Sequence, residues 1–510
     1  MKQIKIALSL LLVLMVASCS NMSENLARMI PADVTGVVSI NVPEILEKSS
    51  IAVNGKLQIP PSLTPIIDEN DASVLCEVIA DLPHMGIDPE SKAFVFFTQK
   101  TFASVLLVSL DDEEVARKAM ERRSGGDFAT VDGLDCIYVK DNFYAIKDHV
   151  LLIGHVNKSV PVEKAASASK AFLAQANKSI LDNDDVKERL EAEGAVNAYL
   201  ELPAVKSLLR KSTTYKELSQ KLPLLDLFVE SDIKALVCNI VLEEKEAKLS
   251  TTILADEGSD YLQLMNTIMS EPGEAVLKTI PNSMDYMVSM SVKGDQFVKL
   301  PQIQQLISLF KSFPYIGRID IEGILSSIDG PLAVGVARDP HLEGEWNVVV
   351  AAKSTNPESI LKSISTFASA LGQAPEIYDG EYIYQYDNKM IKMGVVDGVL
   401  YLKMLDYEQT EGYAYEMEPV RNLFAHSPMA VFVQTHNREA NGYFEYGMTD
   451  YLNGAGRFYP KSESGNATLE LLKVLCSIKG AAAFDDADED DADDVSLLVG
   501  DAIDKLHPVN

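Results

Sequence analysis

IKALVCNIVLEEKEAKLSTTILAD, residues Ile233 to Asp256, is the stretch whose reading decides the fold. Two apolar runs flank a charged stretch, Glu243 to Lys248, which is the pattern of an antiparallel hairpin with a solvated turn. The design returns as IKGAAAFDDADEDDADDVSLLVGD, Ile478 to Asp501, and the two align without a gap. Ile233-Lys234 falls on Ile478-Lys479, Glu244 on Glu489 and Asp256 on Asp501.

Working outward, other blocks recur in the same order. Ile30-Pro31-Ala32-Asp33 leads into an apolar strand from Val34 to Val42, and Ile280-Pro281-Asn282-Ser283 leads into Tyr286 to Val292. Two strands, Lys92 to Thr98 and Ala103 to Leu110, precede a helix capped by Asp111 and Asp112. Their counterparts are Pro331 to Ala337 and Trp346 to Ala352, followed by a helix opened by Asn356-Pro357-Glu358. Asp132-Gly133 and Asp148-His149 turn strands in the first half, as Asp379-Gly380 and Asp397-Gly398 do in the second. Ala195 to Leu202 is matched by Pro428 to Thr435. Five blocks in one order predict an internal duplication. Strands come as adjacent pairs with helices between the pairs, so the expected class is α+β. Two similar halves are expected, each a largely antiparallel sheet with helices packed on it. The predicted divisions are a signal peptide at 1–18, a tether at 19–29, and repeats at 30–271 and 272–510, the junction falling at the SEPG of residues 270–273.

The 510 residues suit two large cores, and a half of roughly 230 residues buries about 70% of its unfolded surface. A formal charge of −30 repels phosphate backbones, which excludes nucleic acid as a partner class. Lys2 and Lys5 precede the apolar run Ile6 to Val16, a run too short to span a bilayer and suited to an export signal. Val16-Ala17-Ser18-Cys19 follows, with small residues just before a cysteine as in a bacterial lipobox, so Cys19 is the expected lipid attachment site. Acyl chains gain about 0.8 kcal/mol per buried CH₂, enough for stable anchoring when two or more are present. Ser20 stands where an aspartate would favour inner-membrane retention, so the expected address is the outer membrane. Cys76, Cys136, Cys238 and Cys476 remain; their irregular spacing favours free thiols and offers no zinc pattern.

A lipobox, a short tether and then IPADVTGVVSINVPEILEKS, in a duplicated acidic chain, resemble a family of Bacteroidetes lipoproteins built on a domain of unknown function. The resemblance implies an exported, membrane-anchored, two-part protein and carries over no site residue.

The acidic run Asp485 to Asp494 is the metal candidate. Asp486, Asp488 and Asp490 fit the spacing of a calcium loop, but Asp491 replaces the required glycine and Leu497 the bidentate glutamate. A solvated turn is the better reading. Tyr382, Tyr384 and Tyr386 share one side of a strand, where exposed rings could stack on sugars. The aligned Asp135, Ile137 and Val139 favour packing instead. His149 and His155 read as turn and surface residues. HExxH, GxSxG and P-loop motifs are absent, and Gly454-Ala455-Gly456 lacks the third glycine of a dinucleotide loop. The sequence therefore points to a binding or scaffolding protein of the cell envelope, with a glycan or protein partner and no cofactor. The boundary between halves is the expected pocket. The enzymatic alternative is a polysaccharide hydrolase using carboxylates that spacing cannot pick out.

Overall fold

A computed structural model describes residues 21–53, 56–64, 84–157, 160–174, 178–211, 229, 231–312, 319–338, 346–370, 374–386, 389–406, 412–436, 441–461 and 466–477. The main sheet's early strands are β1 (Gly36–Ile40), β2 (Ala93–Phe97), β3 (Phe102–Ser109), β4 (Ala129–Val131) and β5 (Leu134–Val139). They are followed by β6 (Asn142–Lys147), β7 (Val150–Val156), β8 (Val196–Glu201), β9 (Ala235–Leu242) and β10 (Ala247–Leu254). Later strands are β11 (Tyr286–Lys293), β12 (Ile328–Arg338), β13 (Trp346–Ser354), β14 (Glu376–Tyr378) and β15 (Glu381–Tyr386). The last are β16 (Lys389–Val396), β17 (Val399–Asp406), β18 (Met429–His436), β19 (Asn441–Met448) and β20 (Asn453–Pro460).

Every pairing is antiparallel, as strands joined by short turns require. The first half runs β4-β5-β6-β7-β3-β2-β1-β8-β9-β10. The second runs β14-β15-β16-β17-β13-β12-β11-β18-β19-β20. The two runs meet where β10 pairs with β20, Ser250 opposite Ala455 and Thr252 opposite Asn453. The chain is thus a mixed α+β protein dominated by one open antiparallel sheet of 20 strands. At the boundary between the halves, β10 and β20 are joined by backbone pairing.

Local chemistry explains the turns. Asp132 and Gly133 both have positive φ (51° and 72°), as do Asp379 and Gly380 (48° and 81°). So do Asp148 and His149, and Asp397 and Gly398. Two left-handed residues in sequence match the twist of a tight hairpin, which is why Asp-Gly serves there.

The helices used below are α1 (Asn21–Arg28), α2 (Val42–Lys48), α3 (Glu113–Ser124), α4 (Val162–Leu173) and α5 (Asp184–Glu191). They continue as α6 (Pro301–Ser312), α7 (Pro357–Ala370), α8 (Glu418–His426) and α9 (Ala467–Ser477). In α3 the Asp112 carboxylate accepts from the Glu114 and Val115 amides, and Gly125 closes the helix at φ 69°. The stretch read as a tether is helical from Asn21, with Leu26 and Ala27 buried.

In the first half both faces of the sheet are covered. Val38, Val95 and Leu106 pack with Ile45 of α2, Met120 of α3 and Leu472 of α9. On the other face Phe96, Phe102 and Leu152 pack with Leu26 of α1, Ala166 of α4 and Leu190 of α5. Second-half strands place Met287, Val349 and Phe432 against Phe424 of α8. Val292 packs with Ile303 and Ile307 of α6.

One expectation needs correction. The strand beside β18 is β19, and β20 pairs on its far edge with β10. Residues 441–460 therefore fill the place expected for the hairpin at 478–501, which lies outside the described residues. Glycine spacing hid these two strands. A side chain at Gly442 would meet the Phe458 ring, and one at Gly454 would collide with Tyr446. The glycines make room for cross-strand rings rather than forming a loop.

Candidate functional site

The strand alternation of β17 sends Val399, Tyr401, Lys403 and Leu405 to one face, where three of the four join apolar packing. Lys403 is the exception in chemistry. It is 5% exposed, and its Nζ lies 4.5 Å from the Tyr401 ring centroid and 5.1 Å from that of Tyr413. Two ring faces stabilise an ammonium electrostatically and replace part of its lost hydration. Burial pushes the Lys403 amine below its ordinary pKa and the positive charge of Lys392 adds to this, while Glu381 pulls the other way. Lys392 sits directly opposite Lys403 in the sheet.

Tyr401 points along the sheet rather than out of it. Its hydroxyl donates to the Glu381 carboxylate across β16. Gly394 makes this possible, because it lies opposite Tyr401 and a Cβ there would collide with the phenol. Burial first, and then the bond to Glu381, push the Tyr401 phenol far above its usual pKa, so it stays a donor. Glu381 pairs with Tyr378 on edge strand β14, and Tyr378 is 75% exposed. The result is a strip on one face: Tyr378, Glu381, Tyr401, Lys403 and Tyr413. Two aromatic rings are open at its ends, a fixed carboxylate and donor lie between them, and a half-caged cation sits at depth. Neighbouring Tyr415 is already engaged, with Lys278 5.7 Å and Arg421 5.4 Å from its ring.

Strips of this composition can hold a sugar ring against tyrosine and an acidic substituent against lysine. Among the described residues no group of three or more His, Cys, Asp or Glu side chains is arranged to hold a metal ion. No helix among them is long and apolar enough to cross a membrane.

The chain matches no family model and no curated protein. Among solved structures, crystal form I of TP0453 is 8% identical with a TM-score of 0.28, covering 46% of this chain and 79% of that one. The DNA polymerase III subunit beta of Pseudomonas aeruginosa is 9% identical with a TM-score of 0.11, over 84% of this chain and 100% of that one. At these scores the likenesses carry no argument.

The tyrosine row singled out by spacing lies on the opposite face from this strip. Tyr384, 8% exposed, packs with Leu361 and Met393 under α7, and Tyr382 lies against the same cluster. Tyr386 closes β15 opposite Lys389. Cys19 and the acidic Asp486, Asp488 and Asp490 lie outside the described residues. Cys136 and Cys238 are free thiols, while Cys76 also lies outside the described residues. His149 takes the turn position expected of it. His155 is buried instead, its Nδ1 3.5 Å from the Asn142 side chain. Sequence reading passed over Lys403 because a lysine in an alternating strand looks like a solvated position. The usable signal was the pairing of a glycine with a tyrosine across adjacent strands.

Proposed function

We propose that this protein is a lipid-anchored binding protein of the cell envelope, held on the outer membrane through Cys19, and that the strip around Lys403 takes an acidic glycan. The observation that carries the binding reading is a buried Lys403 amine set against the rings of Tyr401 and Tyr413, with Tyr378 exposed beside Glu381 on the same face. An acidic sugar would add counter-charge to that of Glu381 and would lay a ring face on tyrosine. The anchor reading rests on the lipobox at 16–19 and on the export signal before it. Helix α1 begins two residues after Cys19, so such an anchor would hold the body close to the bilayer.

We also infer that the halves, 30–271 and 272–510, descend from one duplicated unit. Supporting this, each strand of the first run has a partner in the second with the same neighbours. Small bridges repeat too: Ile180 donates to the Ile30 carbonyl as Ala414 does to Ile280, and Pro31 bridges Ser179 as Pro281 bridges Tyr413.

Titration of the full chain with acidic and neutral oligosaccharides tests the binding reading. Acidic ligands should bind, and Lys403→Met should weaken them by about 10- to 100-fold, the worth of a bond to a charged group. Equal binding of neutral ligands, or no effect of Lys403→Met, would remove the proposal. For the anchor, radiolabelled palmitate should enter the wild-type chain and not Cys19→Ala.

A further inference from the structure

Beside Tyr401 and Glu381, a second row crosses the same face: Glu376, Ile383, Lys392, Lys403 and Val349, taken in turn from β14, β15, β16, β17 and β13. Residues directly opposite on antiparallel strands point to one face with Cβ atoms about 4.5–5.5 Å apart. Lys392 and Lys403 are therefore two like charges held side by side, an arrangement that costs stability. The acids nearby do not quench the pair. Asp397 is held by Lys278 at 2.6 Å, and Glu274 lies 4.0 Å from Arg421. Glu381 attracts Lys403 but also accepts the Tyr401 hydroxyl. Exposed Glu376 stands two strands from Lys392, roughly 10 Å away. Among the described residues neither lysine has a carboxylate in ion-pair contact. The two differ in access, since Lys403 is buried and Lys392 only half-buried.

We propose that Lys392 is the outer of two anion contacts in the strip, so that the ligand carries acidic groups on two neighbouring sugars, one for each lysine. This rests on the acidic-glycan reading and narrows it to a glycan with successive uronic acids. A glycan with a single acid leaves one ammonium of the pair uncompensated, and the repulsion across β16 and β17 persists. Two acids remove that repulsion and add a second charge-assisted bond. Lys392 is the ammonium that an incoming ligand reaches first, which makes it the residue that sets specificity between glycans of one acid and of two.

Calorimetric titration of the full chain with a disaccharide of two uronic acids, and with the matched disaccharide bearing one, tests it. The diacid should bind the wild type at least about tenfold more tightly, and in Lys392→Gln the preference should fall to within about threefold. Lys392→Gln also removes the like-charge contact, so its midpoint in denaturant should equal or exceed that of the wild type. Equal binding of the two disaccharides, or a preference that survives Lys392→Gln, would overturn this inference alone, provided Lys403→Met still weakens binding. Binding of neither disaccharide would overturn the acidic-glycan reading with it. A lower midpoint for Lys392→Gln would show the lysine pair already satisfied within the protein, and would also overturn the inference.

Discussion

The face formed by β4 to β7 and the face formed by β14 to β17 hold the same places in their half-sheets and have opposite chemistry. In the first half the face is apolar, with Leu134, Ala145 and Leu152 packed beneath α4. Phe102 lies over Gly154, with the Phe143 ring 5.9 Å away and the Phe172 ring 6.0 Å away. In the second half Tyr401 stands where Leu152 does and Lys403 where Gly154 does, each directly across from β13 as those are from β3. The cause lies in the connections. Residues 157–179 join β7 to the next turn and include α4, whereas 407–413 make the same link in the second half and are too few for such a helix. Without such a helix the second face leaves Tyr378 and Tyr413 open at its ends, while Tyr401 and Lys403 stay buried between them. On the proposed reading, one sheet position serves stability in one half and binding in the other.

The comparison can be broken most severely at Phe102. Phe102→Ala should cost about 3–5 kcal/mol in denaturant unfolding, whereas Tyr401→Phe should cost only about 1 kcal/mol, the worth of its bond to Glu381. Similar costs for the two would mean that the second face is as much a core as the first. The paired glycines sharpen it next. Gly154→Ala meets a ring held on all sides and should cost about 1–3 kcal/mol. Gly394→Ala meets the hydroxyl end of the Tyr401 phenol, which a shift of its bond to Glu381 can relieve, so the loss should be less than half of that, read by the same unfolding curves.

The lysine supplies a pH signature. Its folded pKa lies below the unfolded 10.5, so the cost of burying charge is complete at low pH, where both states are protonated. That cost is relieved as pH rises through the depressed folded value. Lys403→Met should therefore stabilise the protein by roughly 1 kcal/mol at neutral pH, a gain that shrinks toward pH 10. A gain that grows with pH would contradict the assigned environment. The smallest effect concerns the closed half: burial pushes the Cys136 and Cys238 thiols up, so both should react slowly with a thiol reagent until denaturant is added.

Much of the fold was legible because its signals were local. Asp-Gly pairs need left-handed backbone, Asp112 needs amides to cap, and the runs from Ile233 to Asp256 alternate around a charged turn. The hairpin at 441–460 was not legible, since its glycines interrupt the apolar alternation of a strand while serving rings on neighbouring strands. The strip around Lys403 was hidden for a related reason. Tyr382 and Tyr384 advertise themselves by spacing, yet α7 covers them. The link at 407–413 is short where the first half has α4, a difference that matters only once the sheet order is known.

The most direct test of a recognition strip at Lys403 is a crystal structure of the full chain soaked with a uronic-acid oligosaccharide. The account predicts a sugar carboxylate within hydrogen-bond distance of the Lys403 Nζ and a sugar ring laid against Tyr413 or Tyr378. Sugar density at any other place, or an empty strip at saturating ligand, would contradict it.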